Sequence, residues 1–306
     1  MSGAVMRGYV PTLLLLAAIW GASFMFIKVA VEELEPATAM AIRLLLSAPP
    51  LFLLLAWRRG PRGAVRDIRG VARAGAVLGI VNSAIPFTLI AWGETHIDSG
   101  VAAIANASVP IFVALLALHY RESERVTGTR LVGVVLGLGG VGVVVGVHPE
   151  GGWWGAAGAL ACAAAAFLYA VGALYAQTNV ERTDPLVVVA TATLAGGLFL
   201  LPLAVVQAPT ELPSLEATGS LLALSLLGTV VGLLLYYHLI GAHGSLRASL
   251  VVYLVPVTAL LYGALLLDEK LSAPALAGLV LILAGVALGS GVARLRRREP
   301  APVPAP

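Results

Sequence analysis

Residues 110–141 read PIFVALLALHYRESERVTGTRLVGVVLGLGGV, and residues 256–286 read PVTALLYGALLLDEKLSAPALAGLVLILAGV. Each stretch opens on a proline (Pro110, Pro256) and runs apolar to a short charged connection with a glutamate (Glu124, Glu269). Each then resumes as a glycine-rich apolar run, with Gly133 and Gly140-Val141 answered by Gly278 and Gly285-Val286. The Glu-to-Gly and Gly-to-Gly spacings are the same in both copies, and the Pro-to-Glu spacing differs by one residue. Lipophilicity makes any two Leu/Ala/Gly-rich stretches look alike, but it does not set Pro, Glu and Gly at fixed intervals. Further upstream, Trp20 and Pro36 share one offset with Tyr169 and Pro185. The chain therefore reads as two copies of one unit, residues 1–150 and 151–293, followed by a basic and Pro/Ala-rich tail at 294–306.

Composition says what surrounds these units. The 306 residues are 59% hydrophobic and 11% charged, whereas a soluble domain is about 25% charged. So much apolar surface needs lipid as its solvent, which excludes a soluble enzyme, a nucleic-acid binder and a disordered chain. The mean hydropathy of +0.95 agrees. The one cysteine, Cys162, allows no disulfide framework or thiolate metal site. No metal or cofactor motif is present. Backbone groups in hydrocarbon must be satisfied internally, so the apolar runs are expected to be helices. Ten are predicted, at 10–30, 37–57, 72–92, 99–119, 128–147, 153–176, 185–206, 217–238, 246–267 and 274–293. The first is too long for the apolar region of a cleaved leader and is taken as a span.

Charge gives the orientation. With the N-terminus in the cytoplasm, every Lys and Arg except Lys28, Arg43 and Lys270 falls on that side, including six arginines from Arg58 to Arg73. The opposite connections are acidic, with Glu32, Glu33, Glu35, Glu94, Asp98, Glu150, Glu211 and Glu216. The positive-inside rule then places both termini in the cytoplasm of an inner-membrane, multi-pass protein. Five helices per unit is an odd number, so the second copy enters the membrane inverted. Inverted repeats with a site near the midplane are a device of secondary transporters. The fold expected is all-α and polytopic, with ten transmembrane helices as two inverted five-helix repeats around a central cavity.

The run Ile19-Trp20-Gly21-Ala22-Ser23-Phe24, with Lys28, Pro36 and Arg43 beyond it and the Pro…Glu-Arg-Val…Gly…Gly-Val close of the unit, resembles the EamA family of the drug/metabolite transporter superfamily. The resemblance covers roughly residues 10 to 292. It implies a ten-helix exporter of small metabolites, often amino acids, with the first helix of each half bordering the cavity. Resemblance to triose-phosphate and nucleotide-sugar members is weaker, because their paired basic residues have no match here.

Polar groups inside spans are costly and need an account. Arg43 is a candidate to hold a substrate carboxylate, or to pair structurally with Glu94. Lys28 either snorkels or attracts anionic groups. Trp20, Phe24 and Lys28 share one helix face, a packing stripe or a cavity wall; Tyr169 has the same standing in the second half. Asn106 with Pro110, and Ser249 and Tyr253 with Pro256, line one face each of the fourth and ninth spans, and Asn82 with Pro86 does so in the third. The prolines free carbonyls and permit bending, so Pro86, Pro110 and Pro256 are candidate hinges. The candidate substrate residues are thus Trp20, Phe24, Arg43, Asn82, Asn106, Tyr169, Ser249 and Tyr253. Glu124 and Glu269 are each expected at the start of the last helix of a half, stabilised by its dipole. The glycines of the fifth and tenth spans suit close packing within a monomer, with a homodimer as the alternative. The Arg58–Arg73 run reads as an anchor on anionic lipid.

With no acid expected at membrane depth, a facilitative exporter or uniporter of small metabolites, amino acids first, fits the residues. A multidrug exporter would want a membrane acid. A lipid-linked-sugar flippase, or a phosphorylated-metabolite antiporter, remains open. A membrane enzyme would need a catalytic cluster that the spans lack.

Overall fold

The computed structural model describes residues 3–120, 129–146 and 152–289. The predicted positions of Glu124, Glu150, Arg121, Arg125 and the tail from 294 lie outside the described residues. Every regular element among those described is helical. They are α1 (Gly3–Val31), α2 (Pro36–Arg59), α3 (Pro61–Gly70), α4 (Ala72–Gly79), α5 (Ile85–Glu94), α6 (Ser99–Asn106), α7 (Val109–Tyr120), α8 (Thr129–Gly146), α9 (Gly152–Asn179), α10 (Pro185–Val206), α11 (Leu215–Ala223), α12 (Gly232–His243), α13 (Ser245–Ala248), α14 (Val251–Leu266) and α15 (Ala273–Gly289). Two π-helical stretches, Ile80–Ala84 and Leu224–Val231, join α4 to α5 and α11 to α12.

Among the described residues, seven helical stretches are long and apolar enough to cross a membrane, and three shorter apolar helices accompany them. Their outward faces carry Leu14, Leu53, Leu198, Leu261 and Val280, as lipid contact requires. The boundaries follow local chemistry. Proline opens α2, α3 and α10, where its missing N–H is no loss. Asp184 accepts from the Leu186 N–H at 3.0 Å, and Ser214 from the Ala217 N–H at 3.1 Å. Gly60, at φ 74°, turns the chain from α2 into α3.

The structure departs from the sequence expectation in the interiors of four spans. The third and eighth carry π-helical turns, the fourth breaks at Ala107–Ser108, and the ninth at Ser249–Leu250. The arginine run, expected as a connection, includes the short amphipathic helix α3. Hydropathy averages over a window and cannot register a turn that slips by one hydrogen bond.

Packing is reciprocal between the halves. Helix α1 lies along α14, and α9 lies along α6 and α7. Helix α10 packs on α4 and its π turn, and α2 packs on the π stretch Leu224–Val231. Helices α2 and α10 face each other, as do α8 and α15. The last pair is glycine-mediated within the chain. A Cβ built on Gly285 would stand 2.6 Å from the Gly133 carbonyl oxygen, and one on Gly140 2.9 Å from the Ile282 nitrogen. Small residues here let two backbones touch.

One end of the bundle is tied across the halves by carboxylates. Glu33 accepts from the Ser214 N–H at 2.7 Å and from its hydroxyl, and those bonds hold its carboxyl below the usual carboxylate range. Glu269 accepts from the Ser99 N–H at 2.7 Å, its hydroxyl at 2.9 Å and the Gly100 N–H at 3.2 Å. Glu269 therefore does cap a helix N-terminus, but that of α6 in the other half; its own helix, α15, begins later, at Ala273. At the arginine-rich end, Arg59 pairs with Asp184 at 3.0 Å.

Gly285→Ala should lower stability in detergent by about 1–3 kcal/mol, because the new methyl meets backbone that cannot swing aside. Gly139→Ala, where a Cβ meets nothing within 4 Å, should leave the thermal midpoint unchanged in the same unfolding assay.

Candidate functional site

A π-helical turn shifts the hydrogen-bond ladder and leaves carbonyls without their usual donors. In Leu224–Val231 these are met by side chains from the first half. Ser47 on α2 donates to the Ser225 carbonyl at 2.9 Å, and the Trp20 indole N–H on α1 donates to the Gly228 carbonyl at 3.1 Å. Thr229 accepts from Arg43 Nε at 3.0 Å and donates back to the Leu224 carbonyl at 3.3 Å. Glycines make the approach possible: a Cβ on Gly232 would stand 2.5 Å from Trp20 Nε1, and one on Gly228 2.6 Å from Ser23 Oγ.

Arg43 is the centre of this region. It is 7% exposed, and its Cζ sits 3.9 Å from the centroid of the Phe87 ring, a cation–π placement. Tyr169 on α9 meets the same ring edge-on at 6.4 Å. One turn along α9, Gly172 backs onto Asn82, such that a Cβ there would lie 2.5 Å from Asn82 Oδ1. Asn82 belongs to the π turn Ile80–Ala84, and among the described residues its side-chain amide makes no hydrogen bond. Nor does the guanidinium beyond its bond to Thr229. Residues from α2, α5, α9 and both π stretches thus converge on one buried cation, one unpaired amide and two aromatic rings. Such a set can take a carboxylate on the guanidinium, and a polar or aromatic remainder beside the amide and the rings.

The structure brings Arg43, Asn82 and Tyr169 together, with Trp20 at the margin. Trp20 also stacks, tilted, on Tyr236 at 5.3 Å. Phe24 is 6% exposed and packs in the main apolar core. Asn106 ends α6, its Oδ1 buried and without a hydrogen-bond partner among the described residues. Ser249 stands in the break between α13 and α14, and Tyr253 is the third residue of α14. Pro86 is the second residue of α5, directly after a π turn, and Pro110 the second of α7, directly after the break. Pro256 lies inside the continuous α14, a turn and a half past its break.

Three expectations are corrected. The structural pair between Arg43 and Glu94 does not form: Arg43 is bonded to Thr229 and stacked on Phe87. Glu94, expected in an acidic connection, is the last residue of α5 and is fully buried, with neither carboxylate oxygen hydrogen-bonded among the described residues. Lys28 neither snorkels nor waits for an anion. Its Nζ donates to the main-chain carbonyls of Glu94 at 2.6 Å and Ile97 at 3.0 Å, a cation at the C-terminus of α5. The residues that spacing missed, Phe87 and Thr229, sit in apolar runs with no local signal.

Comparisons with known proteins identify the family. A sequence model described as the EamA-like transporter family matches residues 8–146 and again residues 156–291. An uncharacterized transporter of Archaeoglobus fulgidus is 28% identical over 90% of this chain and 95% of its own. A probable terminal-alkyne amino-acid exporter of Streptantibioticus cattleyicolor is 30% identical over 94% and 95%. A probable amino-acid metabolite efflux pump of Escherichia coli is 26% identical over 89% and 91%. A protein of known crystal structure aligns at TM-score 0.65 and 18% identity, over 96% of this chain and 99% of that one, which shows a shared fold.

Trp20→Phe keeps a ring but removes the donor to the Gly228 carbonyl. Stability in detergent should fall by about 1–3 kcal/mol, the cost of a buried unsatisfied acceptor. Trp57→Phe, at a ring 82% exposed, should leave the unfolding midpoint in place.

Proposed function

The chain belongs to the EamA-like transporter family, and from that premise we propose that it exports small metabolites, amino acids first, across the inner membrane by alternating access. It is a multi-pass membrane transporter and no enzyme, as its relatives are. The observation that carries the substrate class is Arg43, a buried guanidinium whose one hydrogen bond among the described residues goes to a neutral hydroxyl. A buried cation is kept at a cost of several kcal/mol and is stable only when paired. A ligand carboxylate is the partner that the site lacks. The names of the relatives from Streptantibioticus cattleyicolor and Escherichia coli point the same way.

In this reading ten spans form two inverted halves, residues 1–150 and 151–293, acting as a monomer with both termini in the cytoplasm. Three features support the inversion: the paired sequence spacings, the reciprocal helix contacts, and the occurrence of π turns at corresponding places in the third and eighth spans. Rocking of one half against the other would open the Arg43 site alternately to each side, with the breaks near Pro86, Pro110 and Pro256 as the points of bending. Cationic drugs are disfavoured by Arg43 at the centre.

The test is counterflow in proteoliposomes loaded with each of the twenty amino acids and given the same amino acid labelled outside. A subset should accumulate above empty liposomes. Arg43→Gln should weaken that uptake about 10- to 100-fold, the range expected for losing a charge-assisted pair, and Asn82→Ala should weaken it less. No uptake of any amino acid would overturn the substrate class, and labelled cationic dyes, phosphorylated sugars and lipid-linked sugars would then be tried in turn.

A further inference from the structure

Glu94 is unused by the site above, yet it is the most buried acid among the described residues, with none of its surface exposed and neither carboxylate oxygen hydrogen-bonded among them. The groups that face it come from each element packed on α5. Lys28 comes from α1, bonded to the Glu94 main-chain carbonyl at 2.6 Å. Arg43 comes from α2, and Glu269 lies across the N-terminus of α6. Helix α9 contributes the buried thiol of Cys162 and, farther along, Tyr169. The π turn Ile80–Ala84 contributes no titratable group. His96, one turn beyond α5, is turned toward Trp92 and bonds its carbonyl at 3.0 Å.

With the site empty, the formal charges of this pocket balance when Glu94 is ionised. Lys28 and Arg43 bring two positive charges, and Glu269 and an ionised Glu94 bring two negative ones. Excess charge in a low-dielectric interior is penalised by several kcal/mol. A ligand carboxylate arriving at Arg43 adds one negative charge, and the balance returns if Glu94 takes up one proton. A cavity of about 690 Å³ at the acidic end is lined by Trp92 and Thr95, which flank Glu94 in sequence, together with Glu32, Glu33, Glu35 and Glu211.

We propose that Glu94 is a proton-binding site linked to the substrate site: occupation of Arg43 by a carboxylate draws one proton from the acidic-end cavity onto Glu94, and its departure releases that proton. The inference rests on the reading of Arg43 as the carboxylate site. It adds a proton to a carrier that the sequence alone reads as uncoupled. Linkage is reciprocal, so acid must tighten substrate binding by the same factor by which substrate favours protonation.

The experiment is the counterflow assay with the amino acids it identifies, run at equal pH on both sides from about pH 5 to about pH 9. In wild type the half-saturating concentration should rise up to about tenfold per pH unit over part of that range. In Glu94→Gln, which mimics the protonated acid, it should stay flat within about twofold. Glu94→Asp, which keeps the carboxyl, should keep a pH dependence, and the thermal midpoint of each variant shows that it is folded. An identical pH profile in wild type and Glu94→Gln overturns the proton site and leaves the carrier standing. If no amino acid gives counterflow, infrared difference spectra of wild type against Glu94→Gln still decide. A carboxylic-acid band that titrates in this range and responds to added carboxylate supports the site, and its absence overturns it.

Discussion

A peptide carbonyl in hydrocarbon has no water to turn to, and each one left alone costs several kcal/mol. An unbroken helix meets this constraint internally. This protein breaks or slips its helices within four spans, and the side chains that answer those breaks also join the halves. Ser47 and Trp20 satisfy carbonyls of the π stretch Leu224–Val231, and Thr229 on that stretch satisfies Arg43. The same turns that would be defects in lipid become the points where α1 and α2 are fixed against the eighth span. Function follows from that, because slipped backbone is tolerated where it borders a cavity or is covered by protein.

Charge is handled by the same rule. Of the ionisable groups at depth, Lys28 sits on the carbonyl end of α5, and Glu269 sits on the amide end of α6. Both neutralise helix termini with full charges and complementary dipoles. What remains is Arg43, held by one hydroxyl and an aromatic face, and Glu94, whose carboxylate oxygens accept no hydrogen bond among the described residues. A buried pair that stabilised the fold would be in contact, and these two are not.

The bundle's outer pairs do different work. Helices α8 and α15 meet backbone to backbone through Gly133, Gly137, Gly140 and Gly285, which makes them a rigid flank. The α1–α14 and α9–α6 contacts run between halves and include the breaks in the fourth and ninth spans. Thr258 on α14 donates to the Ala17 carbonyl at 2.8 Å, one of few polar ties along that seam. Close glycine packing beside broken, sparsely bonded helices fits a molecule in which some elements move as blocks.

Hydropathy and the positions of Pro, Gly and Arg were enough to mark the apolar helices, seven of which, among the described residues, are long enough to cross a membrane. These signals are local: a helix in lipid must be long and apolar, and its ends must be capped or charged. The repeat of Pro, Glu and Gly was legible for the same reason, and with it the family. The sequence also named Arg43, Asn82 and Tyr169, because a polar or aromatic group inside a span stands out against leucine. It could not say that Phe87 and Thr229 hold Arg43, since an aromatic or a threonine in an apolar run looks like packing. Nor could it show that Glu94 is buried, because a glutamate at the edge of a span reads as part of a connection. It gave no sign that Glu269 serves α6. Those facts depend on which helix faces which, a choice made by groove, glycine and hydrogen bond across hundreds of residues, and only the tertiary structure makes it.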